Sequence, residues 1–210
     1  MGIEYRTTFP GMLFPPLKRN IFTGDECTPT LALLGTCADD LWREEHVIPA
    51  LPDDVDYFTP NMGVGGYEGR FREDYQAIER WFVQHSGVLL VNISERSDST
   101  VSMVEVLAGL ALILSKTPGS RYVGVRITST IGDHVDKGKA ACSHSMRLTL
   151  KHYLGIHAES PLLTIFPEET SMATMTHWAV DAYYRQLGLM RMWEDQGAFA
   201  VRKPGYAKVA

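Results

Sequence analysis

The chain has 210 residues, enough for one α/β domain with a sizeable core and some appendages. A formal net charge of −5 argues against a duplex DNA or RNA binder, which normally carries a basic stripe, and leaves free nucleosides or nucleotides as ligands. Three cysteines, Cys27, Cys37 and Cys142, are too few and too scattered for a disulfide framework or a C-x-x-C metal site, so a reducing compartment is expected, by default the cytoplasm. The start, M-G-I-E-Y-R-T-T-F-P, lacks a charged segment followed by an apolar one, and the longest apolar run, 106–114, is too short to span a bilayer. No membrane role is expected.

Residues 1–29 hold Pro10, Pro15, Pro16, Pro29, Gly11 and Gly24 without sustained periodicity, which predicts an extended arm or loop whose Phe9, Phe14 and Phe22 lie on its own domain, a neighbouring subunit or the mouth of a site, the first being the expectation. Residues 30–34 (T-L-A-L-L) read as a buried parallel strand ending at Gly35. A turn through Thr36, Cys37, Ala38, Asp39 and Asp40 then leads to a helix carrying Leu41, Trp42, Val47 and Ile48, stopped by Pro49 and Pro52. Glycine at the end of a first strand lets a ligand approach the backbone, although any tight strand-to-helix turn also favours one.

Residues 55–59 form a second short strand. The glycine-rich stretch 63–69 lacks the Lys-Ser/Thr of a P-loop and does not open a helix, so both dinucleotide and P-loop motifs are rejected in favour of a flap or a plain solvent loop. From 70 to 84, Phe71, Tyr75, Ile78 and Phe82 recur at helical spacing, with Glu79 at the edge of that face. Residues 87–93 (G-V-L-L-V-N-I) are the clearest buried strand, followed by a polar loop, 94–99, that carries Asp98.

The next helix, 103–114, is apolar on every side and should be buried, yet it carries one charged residue, Glu105. A carboxylate taken out of water must find hydrogen bonds, find a cation, or rise in pKa. Ser102-x-x-Glu105 fits a capping box, which would make the glutamate structural. Its place in the first turn after a strand and a polar loop fits a ligand site at the carboxyl edge of a parallel sheet, which would make it functional.

Residues 121–127 give a fourth strand, 131–139 a loop, 140–153 a helix, 161–166 a fifth strand and 171–187 a helix, before a tail at 188–210. This alternation predicts an α/β domain over 30–187 with a parallel sheet of about five strands and helices on both faces.

Three segments together resemble the nucleoside 2-deoxyribosyltransferase-like proteins: G-T-C-A-D-D-L-W-R at 35–43, Y-F-T-P-N at 57–61, and S-M-V-E-V at 102–106 after an apolar strand. The resemblance covers residues 31–127, about half of the chain, and implies a flavodoxin-like fold. It implies that Glu105 is a nucleophile and that Glu79, 26 positions earlier, orients or protonates the leaving base. The founding transferases carry aspartate at the latter position and glycines in the loop before the nucleophile, where this chain has Ser99, Thr100 and Ser102. Gly35, Thr36, Cys37, Trp42, Arg43, Asn61, Asp98 and Ser102 become the candidate substrate contacts. The implied reaction is transfer or hydrolysis at the N-glycosidic bond of a (deoxy)nucleoside or nucleotide, in a homo-oligomer and with no cofactor or metal. A carboxylate can trap the oxocarbenium-like sugar as an ester while an acid protonates the base. The alternative is a nucleotide-binding module without chemistry. A metal site at Asp133-His134-x-Asp136 and Cys142-x-His144 lacks a recognised ligand spacing. His177, Trp178, Tyr183 and Tyr184, at helical spacing, read as packing or subunit contact.

Overall fold

The computed structural model describes residues 28–36, 40–60, 73–114 and 121–195. Five strands, β1 (Thr28–Gly35), β2 (Tyr57–Phe58), β3 (Ser86–Ile93), β4 (Tyr122–Ile127) and β5 (Leu163–Phe166), pair in parallel in the order β2-β1-β3-β4-β5. Four helices complete the described domain: α1 (Glu73–His85), α2 (Thr100–Leu114), α3 (Lys137–Ile156) and α4 (Met172–Asp195). The alternation of elements predicted this parallel α/β sheet, and the order 2-1-3-4-5 is that of the flavodoxin-like fold.

β3 lies at the centre of the sheet and is buried on both faces along its whole length, which is why its sequence is a continuous apolar run rather than an alternating one. Leu89, Val91 and Ile93 face one core with Trp81 and Phe82 of α1, Met103, Val106 and Leu110 of α2, and Leu150 and Leu154 of α3. Val88 and Leu90 face the other with Trp42, Val47, and Met175, Ala179 and Tyr183 of α4. Three helices therefore cover one side of the sheet and α4 the other. Gly124 lets α4 approach the sheet: a Cβ there would lie 2.4 Å from the Trp178 ring, so the indole seats on bare backbone. Tyr183 and Tyr184 tie α4 to the turn before β2, Tyr183 Oη accepting from the Asp56 amide and Tyr184 Oη donating to Asp54 Oδ1.

Several expectations are corrected. The helix expected after β1 is one wide π turn, Arg43–Val47, running into a 3₁₀ turn, Ile48–Ala50, because Arg43 is tethered to the strand end and Pro49 and Pro52 block continuation. α2 is not buried all round: Val101, Val104, Leu107 and Leu114 are each 47–59% exposed, along one stripe. α3 begins earlier than expected, at Lys137, because Asp136 caps it by accepting from the amides of Gly138 and Lys139. α4 passes Gly188 and continues to Asp195, beyond the expected end at 187. β2 is reduced to Tyr57–Phe58.

Candidate active site

β1 and β3 are neighbours in the sheet, but their chains leave its carboxyl edge in opposite directions, and that switch point is where ligands bind in open α/β sheets. Gly35 sits there with φ +117°, and a Cβ on it would fall 2.1 Å from the carbonyl oxygen of Asn92 on β3. Only glycine permits that approach. Thr36 then fastens the exit of β1 to the loop after β3. Its amide donates to Asn92 O at 2.8 Å, its Oγ1 accepts from the Ser94 amide at 2.9 Å, and the same hydroxyl pairs with Ser99 Oγ at 2.8 Å.

Trp42 and Arg43 stand behind this exit, not in front of it. Trp42 Nε1 donates to Thr36 O, while Arg43 donates to the carbonyls of Leu33 (2.9 Å), Thr36 (2.8 Å) and Gly35 (3.0 Å). Arg43 is wholly buried, with its guanidinium carbon 4.5 Å from the centre of the Trp42 ring. These two residues, read from the sequence as substrate contacts, build the turn that places Gly35.

In front of the exit lies a cavity of about 180 Å³ lined by Gly35, Pro60, Glu79, Ser97, Asp98, Ser99, Thr100, Val101, Ser102 and Glu105. Glu105 reaches it from α2 and is only 8% exposed. Glu79 reaches it from α1. The two carboxyl groups hydrogen-bond each other, and Glu105 also accepts from the backbone amide of Gly35. Burial is the main reason that the Glu105 carboxyl is pushed well above the usual range, and the neighbouring Glu79 adds to it by charge and by hydrogen bond; the cation of Arg43 and the Gly35 amide pull the other way. The closeness of the two carboxyl groups disfavours the charged form of Glu105.

The capping box is corrected here. α2 starts at Thr100, and its first backbone bond runs from Met103 N to Ser99 O, so Ser99, not Ser102, is the residue that opens the helix. Ser99 has φ +51°, unusual outside glycine, and its hydroxyl faces Thr36 and Ser97. Ser102 lies inside the first turn and lines the cavity, and Glu105 turns toward Gly35 and Glu79.

Of the residues singled out from the sequence, Gly35, Glu79, Asp98, Ser102 and Glu105 meet at the cavity, with Thr36 directly behind it. Cys37 and Asn61 lie outside the described residues. Pro60, Ser97, Ser99, Thr100 and Val101 join the lining without having been read as substrate contacts; Pro60 lies within the 57–61 segment, the other four lie in or beside the loop before Glu105, and the run of hydroxyls at 97–102 was the available signal. On the other face of the sheet edge, Arg126 donates to Asn92 Oδ1 and Thr170 O, and Ser94 Oγ donates to Asp40 Oδ2. His134 donates to Arg96 O, His144 to Ser129 O, and Asp136 caps α3, so these side chains face different partners. Among the described residues, no three His, Cys, Asp or Glu side chains gather as a metal site, and no helix is long and apolar enough to cross a membrane. Compared with family models, curated proteins and solved structures, the chain matches none.

Proposed function

We propose that the protein cleaves or transfers at the N-glycosidic bond of a (deoxy)nucleoside or nucleotide, through a glycosyl ester on Glu105, as its resemblance to the nucleoside 2-deoxyribosyltransferase-like proteins implies. The observation that carries this reading is the hydrogen-bonded pair Glu79 and Glu105 in a small cavity at the switch point. Inverting glycosidases keep their two carboxyl groups roughly 6.5–9.5 Å apart to admit a water, so a pair in contact favours the covalent route. The cavity is smaller than the roughly 300 Å³ where pockets for drug-sized ligands begin, and suits a sugar whose base projects outward.

The pair supplies what the first step needs. One carboxylate oxygen attacks C1′ and one proton leaves with the base. As the C1′–N bond breaks, the Glu105 oxygen forms a bond to C1′ and the proton held by the pair passes through Glu79 to the departing nitrogen. Positive charge developing on the sugar stabilises Glu105 as an anion at that moment, helped by the Gly35 amide and the Arg43 cation. Water, or the N–H of a second base, then attacks C1′, the ester bond breaks, and the attacking group's proton returns to Glu79. No cofactor or metal takes part in this scheme.

The exposed apolar stripe of α2 supports a homo-oligomer, since such a face is rarely left to water, and the scattered cysteines support a cytoplasmic setting. The test is a chromatographic screen of ribo- and deoxynucleosides and their phosphates for free base, with and without a second base. The reading predicts release by the wild type and none by Glu105→Gln with its fold intact. Binding retained by both proteins without base release points instead to a nucleotide-binding module.

A further inference from the structure

α3 carries a second wholly buried guanidinium, whose hydrogen bonds among the described residues go to uncharged oxygens. Arg147 Nη1 donates to Thr128 O, Thr128 Oγ1 and Thr130 O at 3.0–3.2 Å, which fixes the loop after β4. Its Nη2 donates to Ser97 O at 2.6 Å, and its Nε to Ser143 Oγ at 3.2 Å. Ser143, 1% exposed, donates its own hydroxyl to Asp98 O at 2.6 Å. Two consecutive carbonyls of the loop that lines the cavity are therefore held from outside by one helix.

That grip has a directional consequence. Gly35 and Glu79, on β1 and α1, line the same cavity as the 97–99 loop, whereas no residue of α3 lines it. A trans peptide points its N–H opposite to its C=O. With Ser97 O turned to Arg147, the amide of Asp98 turns away from α3. The next peptide is fixed in the same sense, Asp98 O bound by Ser143 and the Ser99 amide turned away from α3 to donate to Ser97 Oγ at 3.0 Å. Ser99 then takes its left-handed conformation and opens α2.

We propose that Arg147 and Ser143 are positioning residues of this site. They set the 97–98 and 98–99 peptides so that the Asp98 amide meets an oxygen of the bound sugar, and they hold the loop against the start of the Glu105 helix. This rests on the glycosyl reading of the cavity for its ligand, and on the hydrogen bonds alone for the loop.

The experiment uses full-length Ser143→Ala, which deletes one buried hydroxyl, and Arg147→Lys, which keeps the charge and loses the fork. Base release is measured on whichever substrate the wild type cleaves, together with amide hydrogen exchange of a peptide spanning 94–101. For Ser143→Ala, KM rises about tenfold, the worth of one hydrogen bond near 1.4 kcal/mol, with kcat within about twofold and faster exchange confined to 94–101. Arg147→Lys shows a larger rise of the same kind, or unfolds, in which case Ser143→Ala decides. A folded Ser143→Ala with unchanged KM and unchanged exchange overturns the proposal, as does a fall in kcat at constant KM. A wild type that releases no base from any nucleoside defeats the glycosyl reading, and exchange alone then decides for or against the loop-positioning role.

Discussion

Replacing Arg43 with methionine separates a residue that builds the site from one that touches the ligand. Methionine keeps much of the apolar stem and removes the guanidinium, leaving the carbonyls of Leu33 and Gly35 without their Arg43 donor, that of Thr36 with Trp42 Nε1 but not Arg43, and Trp42 without its stacked cation. Hydrogen bonds to a charged group are worth about 1.5–3 kcal/mol each, and three on one side chain are not additive. Relief from burying a cation offsets part of the loss, so the net destabilisation is about 2–4 kcal/mol, a large share of an ordinary domain's stability. Urea unfolding followed by tryptophan fluorescence reads it directly. Glu105 also loses the positive charge that opposes its proton, so the pH range for base release moves upward. Arg43→Lys keeps that charge but not the three-carbonyl geometry, and falls between wild type and Arg43→Met in stability. A stability change under about 1 kcal/mol, joined to a KM raised more than about tenfold, would refute the scaffold role and return Arg43 to the ligand.

Gly35→Ala forces a methyl group against Asn92 O at a backbone angle that alanine rarely adopts, and costs about 3 kcal/mol or more in thermal unfolding; an unchanged Tm would contradict the close approach of β1 to β3. Glu105→Gln should stabilise the fold with a definite pH dependence. Because burial raises the folded-state pKa, the wild type's carboxyl contributes fully below its ordinary value of 4.5 and loses that contribution as pH climbs toward the raised value. The Tm of Glu105→Gln minus that of wild type therefore grows from pH 4.5 upward, and a difference constant with pH would count against the buried pair. Glu168 has the opposite sign. Hydrogen bonds from Lys151 and Ser129 hold it down at about 2, so its contribution is present above 4.5 and is lost as pH falls toward 2. It is 41% exposed, so Glu168→Gln removes under about 1 kcal/mol of stability above pH 4.5, and less in high salt or as pH falls toward 2; an equal effect at pH 3 and pH 7 would sink the assignment.

The fold was legible where burial leaves a mark on the local sequence. β3 is apolar through and through because it is central, and its observed start at Ser86 differs from the expected one by a single residue. Glu105 stood out because a lone carboxylate in an apolar helix needs a partner, and it has two, Glu79 and the Gly35 amide. Contacts made across the chain left no local mark. The capping-box pattern fits Ser102 as a cap, yet Ser99 opens α2 because Thr36, 63 positions away, holds its hydroxyl. Arg147 is one basic residue among several on a mixed helix, and only the approach of the loops after β3 and β4 makes it a clamp. The apolar stripe of α2 reads the same from sequence when its far side meets a core or meets solvent, so its exposure was not predictable.

The account stands on Glu105 taking the sugar while its partner carries the proton. The most direct measurement is intact-protein mass, followed by peptide mapping, after quenching the enzyme with a nucleoside whose sugar bears fluorine at the 2-position, which slows resolution of a glycosyl ester. The expected result is a mass increase of one glycosyl group, located on Glu105 and absent from Glu105→Gln, with one equivalent of base released. Base release without an adduct on Glu105, or an adduct on another residue, would contradict it.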